Sequence, residues 1–191
     1  MNSKTVAFAL LFSLNLFSCT PAVTVVQPTP TPQRLRESEE AAIYELLLQE
    51  ECKNDYYGTP VFIADKTISV TGFNFENMPW VGPSLDKETL EEYEKINQSQ
   101  LSFTLDLSNH QFCELIISDE LDSLTQQDPN WYNGHMVIEY SRIGFNDSLD
   151  QALVYREYNC GGECAGGDLY FLIRRTNNSW FIINSVGGWR S

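Results

Sequence analysis

Apolar residues recur along this chain in two rhythms, a helical one in the first half and an alternating one in the second. Ile43, Leu46 and Leu47 fall at i, i+3 and i+4, the buried stripe of a helix. Ser38 stands as its N-cap, with Glu39 and Glu40 favourably placed in the first turn, so a helix is expected from Ser38 to about Cys52. Asn54-Asp55 and Gly58-Thr59-Pro60 mark the turn that follows. Residues 61–70 are rich in β-branched side chains and read as one strand, or a strand with a bend. Gly72, Pro79, Gly82 and Pro83 make 73–83 a loop, whose Phe73, Phe75 and Trp80 are expected to tuck into the core. A second helix is expected from Leu85 to about Asn97, with Leu90, Tyr93 and Ile96 on one side and Glu88, Glu91, Glu92 and Glu94 elsewhere. Leu101, Phe103, Leu105 and Leu107 alternate with polar residues as in a half-buried strand, and 112–117 is another short strand candidate. The acidic, turn-rich stretch 119–129 receives no assignment.

From His135 onward the pattern is strands alone: 136–145, 152–158, 169–175 and 180–186, separated by short turns. Turns this short join antiparallel neighbours, which gives a four-stranded meander. Ala152 and Val154 point one way and Leu153 and Tyr155 the other, so the sheet needs cover on both faces. The expected fold class is α+β, two helices packed on a curved antiparallel sheet that ends in this meander.

Composition adds a compartment. Val6 to Phe17 is an apolar run broken only by Ser13 and Asn15, too short to span a bilayer and suited to the core of a secretory signal. Leu16-Phe17-Ser18-Cys19 follows, and resembles the bacterial lipoprotein signal, in which the cysteine thiol receives a diacylglycerol and becomes the mature N-terminus. The resemblance implies a signal peptide over 1–18 and lipidation at Cys19. The alternative is an ordinary cleaved signal with Cys19 incidental. Thr20, which is not Asp, points to the outer membrane if the host has two. Pro21, Pro28, Pro30 and Pro32 make 19–36 an extended tether, leaving 37–191 as a single domain facing the periplasm or exterior.

The chain carries 12 Lys+Arg against 26 Asp+Glu, a net charge of −14. Such a surface repels nucleic acid and anionic headgroups, so membrane attachment is expected through lipid and no nucleic-acid partner is expected. With Cys19 set aside, four cysteines remain, an even set with three possible pairings in an exported protein. Cys160 and Cys164 flank a Gly-rich loop between two strands and are within bonding range if those strands pair. That leaves Cys52 with Cys113.

Ser141-Arg142-Ile143-Gly144-Phe145-Asn146, the strand Ala152-Leu153-Val154-Tyr155, the 160–167 Cys/Gly loop, Trp180 and the closing Trp189-Arg190-Ser191 resemble a group of small, uncharacterised exported bacterial proteins. The likeness covers about the last 50 residues; Glu163 and Asp168 depart from the group, which favours an apolar residue and an aromatic there. It implies a fold and no activity.

Candidate chemistry is sparse. His135 and Glu139 lie four apart on one strand face, but no His-Glu-x-x-His is present and His110 or a cysteine is needed to complete a zinc site, so no metal is expected. No Gly-x-Ser-x-Gly elbow or Ser-x-x-Lys occurs, Ser84 is better placed as a helix start, and no catalytic residue or cofactor is assigned. Gly161-Gly162 to Gly166-Gly167 reads as a hairpin loop, and Asn146-Asp147-Ser148 with Asp150 as an Asx-type turn rather than a Ca²⁺ loop. Arg142, Arg156 and Arg174 sit in three strands, either as a cross-strand charge ladder with Glu139 and Glu157 or as a carboxylate- or partner-binding patch. The resulting expectation is a non-catalytic exported lipoprotein that binds an envelope protein or small ligand. The alternatives are a small carboxylate-dependent envelope hydrolase, with His135 as a further candidate, and a sheet cavity holding an apolar ligand.

Overall fold

A computed structural model describes residues 31–70, 85–162 and 164–190. The first helix, α1 (Pro32–Glu51), starts six residues before Ser38. Thr31 caps it, its hydroxyl accepting from the Arg34 amide at 3.4 Å, and Pro32 occupies the first turn, where its missing N–H costs nothing. Residues 32–36 thus belong to the helix and not to the tether, and the chain from Thr31 onward forms one compact unit.

Seven strands follow among the described residues: β1 (Val61–Ala64), β2 (Cys113–Ile116), β3 (Met136–Tyr140), β4 (Gly144–Phe145), β5 (Gln151–Asn159), β6 (Ala165–Arg174) and β7 (Trp180–Arg190). They form one sheet in the order β2-β1-β3-β5-β6-β7, with β4 also beside β5. The C-terminal half is the expected antiparallel meander, β3 and β4 pairing with β5, then β6 and β7. The other half is parallel: β1 pairs in parallel with both β2 and β3. The fold class is α+β, but the sheet is mixed and the helices number three among the described residues. The missing piece is α3 (Ser118–Gln127), in the stretch left unassigned. It carries the chain between β2 and β3 and so permits the parallel arrangement that a short turn forbids. Its start is held from outside the helix, Asp65 accepting from the Ser118 amide at 2.8 Å and hydroxyl at 2.6 Å.

Two expected strands shorten. After Ala64 the chain leaves the sheet, and residues 101–107 form no ladder. They lie along 65–67 through the Thr67 amide to Leu101 carbonyl (2.8 Å) and Phe103 amide to Asp65 carbonyl (2.9 Å) bonds. The 73–83 loop lies outside the described residues.

The helices cover both faces. Ala152 and Val154 of β5 and Ile138 and Tyr140 of β3 pack with Ile43, Leu47 and Leu48 of α1. Leu153 and Tyr155 pack on the other face with Tyr93 of α2 (Lys87–Ile96), and Val137 with Leu121 of α3. Gly144 makes the α2 contact possible: a Cβ there would lie 2.5 Å from the Cα and Cβ of Tyr93.

Two disulfides close the structure. Cys52–Cys113, with Cα atoms 5.4 Å apart, ties the end of α1 to the start of β2, and Cys160–Cys164, at 5.2 Å, closes the β5–β6 loop. Both pairs are the ones expected from the chain. They belong to an oxidising, non-cytoplasmic compartment. Among the described residues no helix is long and apolar enough to cross a membrane.

Candidate functional site

The middle of α1, from Glu37 to Leu48, and the 103–106 segment leave a groove of about 470 Å³ between them. Its floor is apolar, made by Ala41, Tyr44, Leu48, Phe103 and Leu105. Tyr44 is pinned there because its hydroxyl donates to the Ser141 carbonyl at 2.9 Å, and its ring tilts against that of Phe103 with centroids 5.3 Å apart. Among the described residues every charged side chain in the lining is a carboxylate: Glu37, Glu40, Glu45 and Asp106. Burial pushes the Glu40 carboxyl up, an effect that the Arg36 guanidinium only partly offsets. Glu45 is held down chiefly by its hydrogen bond with His110 (3.0 Å), and Asp106 by the Ser108 side chain. His110 itself is buried under this rim. The groove is therefore an open, apolar-floored slot with a negative edge, of a size that suits a small molecule.

The three arginines do not share a patch. Arg156, on the α1 face of β5, is clasped between Glu51 of α1 and Asp168 directly opposite on β6, with the Tyr158 and Tyr170 rings 5.0 and 5.5 Å away. Arg174 meets α1 at Glu39 (2.9 Å), whose other carboxyl oxygen accepts from the Trp180 indole at 2.7 Å. Twelve residues of helix, about 18 Å, separate those two anchor points on α1. Arg142 instead approaches the end of α2, its guanidinium 3.4 Å from the Ile96 carbonyl. Arg156 and Arg174 thus fasten α1 to the sheet. The charge-ladder partners Glu139 and Glu157 lie on the opposite face, because they alternate with Tyr140 and Arg156 along their strands.

Glu139 and Glu157 are themselves cross-strand neighbours. Burial, then Glu157 and Asp122, push the Glu139 carboxyl up to about 7. The pair sets two like charges side by side on adjacent strands, whereas a carboxylate hydrolase faces them across a cleft. His135 does not join them as a ligand: its ring stacks on Trp131 at 4.4 Å and 5°, with Nδ1 2.6 Å from the Trp131 carbonyl. Among the described residues no three His, Cys, Asp or Glu side chains converge as a metal ion would need. Cys19, Ser84 and Glu163 lie outside the described residues.

The Ser141–Asn146 segment is a joint. The Ser141 hydroxyl accepts from the Tyr155 amide (2.8 Å) and donates to the Arg142 carbonyl. Buried Asn97, at the end of α2, bonds both the Arg142 amide (2.8 Å) and carbonyl (3.0 Å). Glu92 accepts from the Phe145 amide and pairs with Arg36, which joins α2 to α1. Asn146 closes the turn, accepting from the Asp150 and Gln151 amides while its own amide donates to Asp86 and Asp150. The Asn146 side chain thus spans a longer turn than the two-residue reach of an Asx turn, bonding amides four and five residues on.

No family model, curated protein or solved structure matches the chain. The groove was missed in the sequence. Phe103 and Leu105 show there as a strand face, and nothing in their spacing says that α1 will lie beside them.

Proposed function

We propose that the protein is a lipid-anchored, non-catalytic binding module of a bacterial cell envelope. The leader, Cys19 and the proline-rich stretch after it supply the anchor and tether, and the C-terminal likeness to exported proteins agrees with that address. The observation that carries the binding role is the apolar-floored groove on α1, the helix that directly follows the tether. A small ligand or a side chain of an envelope protein is its occupant. The net charge of −14 on the chain disfavours nucleic acid as a partner.

Intact mass of the protein from the native membrane fraction, with and without reduction, tests the address. The expected species is residues 19–191 plus an acylated glyceryl group, gaining four hydrogens on reduction. An unmodified N-terminus or an intact leader overturns it. The hydrolase alternative has one observation in its favour, the Glu139 carboxyl near 7 beside Glu157. It requires release of soluble fragments from purified envelope, lost in Glu139→Gln. The binding reading requires no release by either protein.

A further inference from the structure

The geometry points to a small organic cation, an ammonium carried on an alkyl or aryl body, as the ligand of the α1 groove. The inference rests on the reading of that groove as the binding site and adds the chemical class of its occupant.

The argument is charge complementarity over an apolar floor. Four carboxylates edge the groove, and no Lys or Arg lines it among the described residues. The two nearest guanidinium groups do not fill it. Arg36 is taken by Glu92 and Glu40, and Arg142, which acts on Glu40 and Tyr44 through its charge, donates to the Ile96 carbonyl. Glu40 is raised by its own burial, so a cation arriving at the rim relieves a carboxylate that water serves poorly. Below the rim, the Tyr44 and Phe103 rings present apolar surface and π density, the pairing by which proteins hold alkylammonium groups. An anion meets the opposite field, and a neutral body gains only the floor. A cation with an apolar body uses both.

The test uses the full chain secreted as Cys19→Ser, so that it stays in solution without detergent, and follows backbone amides by NMR. Three matched probes are titrated: phenethylammonium, neutral 2-phenylethanol and anionic 3-phenylpropionate. The expected result is saturable shifts at Ala41, Tyr44, Phe103 and Leu105 for the cation. Binding of the alcohol is expected to be roughly tenfold weaker, with none for the acid, and the cation's affinity falls as salt rises. Glu37→Gln with Asp106→Asn removes two rim charges that hold no ion pair among the described residues, and is expected to weaken the cation about fivefold with the fold intact. Phe103→Leu keeps an apolar floor without the ring and is expected to weaken the cation more than the alcohol. Equal binding of all three probes overturns the cation class and leaves an apolar binding groove. No shift from any probe removes the groove reading as well. Shifts spread over the acidic surface, or a cation that binds only after residues 20–30 are removed, also overturn the proposal.

Discussion

Glu139→Gln isolates a single charge whose surroundings determine both the sign and the size of its effect. Glu139 on β3 lies opposite Glu157 on β5, and Asp122 of α3 and the Tyr132 phenol also face it. Burial and the two like charges move its carboxyl from 4.5 to about 7. A carboxyl raised on folding keeps its proton in the folded chain after the unfolded chain has lost it. Between pH 4.5 and 7 the folded state therefore binds more protons, and stability falls as pH rises through that window. At about 1.4 kcal/mol per pH unit that rise is worth ~3.5 kcal/mol, and the partial exposure of the side chain brings this to ~2 kcal/mol. Gln keeps the shape without the charge. Urea denaturation followed by Trp fluorescence is expected to show the variant more stable than the parent by ~2 kcal/mol at pH 8, with Tm higher by about 4–8 °C. At pH 4.5 the two coincide. Stability curves that run parallel from pH 5 to pH 8 refute the reasoning.

Three further outcomes follow from the packing. Cys52→Ala with Cys113→Ala opens a loop of 61 residues and is expected to lower unfolding free energy by about 4 kcal/mol, read by urea titration. Arg156→Met leaves Glu51 and Asp168 facing each other without their cation, at a cost of about 3 kcal/mol. The triple variant with Glu51→Gln and Asp168→Asn recovers most of that loss, and a triple variant as unstable as the single would deny the network its role. Gly144→Ala drives a methyl into the Tyr93 backbone, where no rotamer change helps, and is expected to lose about 2 kcal/mol or more by thermal unfolding.

The meander was legible because its strands are long and its turns short. Period-two alternation over 152–158 and 169–175 fixes which side chains share a face, and a few turn residues leave only antiparallel neighbours. The cysteine pairs were legible for the same reason, since the β5–β6 hairpin brings Cys160 to Cys164. The parallel half was not. Its pairing depends on α3, where only Leu121 is buried and three polar residues, Ser118, Asp119 and Glu120, open the helix. That stretch shows little apolar rhythm, and its capping carboxylate comes from Asp65, 53 residues away. The helix start at Pro32 was hidden by the prolines before it, because Pro32 serves equally well as the last residue of a tether and the first of a helix. The arginines were found, but their partners were not: Glu39 shows in the sequence only as a first-turn residue of a helix, nothing singles out Glu51, and only the packing of α1 sets both against the sheet.

The contrast between the Ser141–Asn146 joint and the α1 groove says where function can reside. In the joint, Ser141, Arg142 and Phe145 hold backbone bonds to β5 and α2, and Tyr44 reaches it from α1. Gly144 cannot carry a side chain, and the Asn146 side chain is committed to its own turn and to Asp86. Any change there is felt by the sheet and by α1 and α2, so the most distinctive run of the sequence specifies the fold. The solvent side of α1 obeys a different constraint. Its inner face is fixed by Ile43, Leu47 and Leu48, and by Glu39 and Glu51 on the two arginines. Glu37 and Asp106, on the two walls of the groove, have no ion pair among the described residues and make local hydrogen bonds to Gln33 and Ser108. Their charges can change without disturbing the core. A scaffold held rigid by the joint, the disulfides and the buried ion pairs thus leaves the groove edge free to follow the chemistry of its ligand.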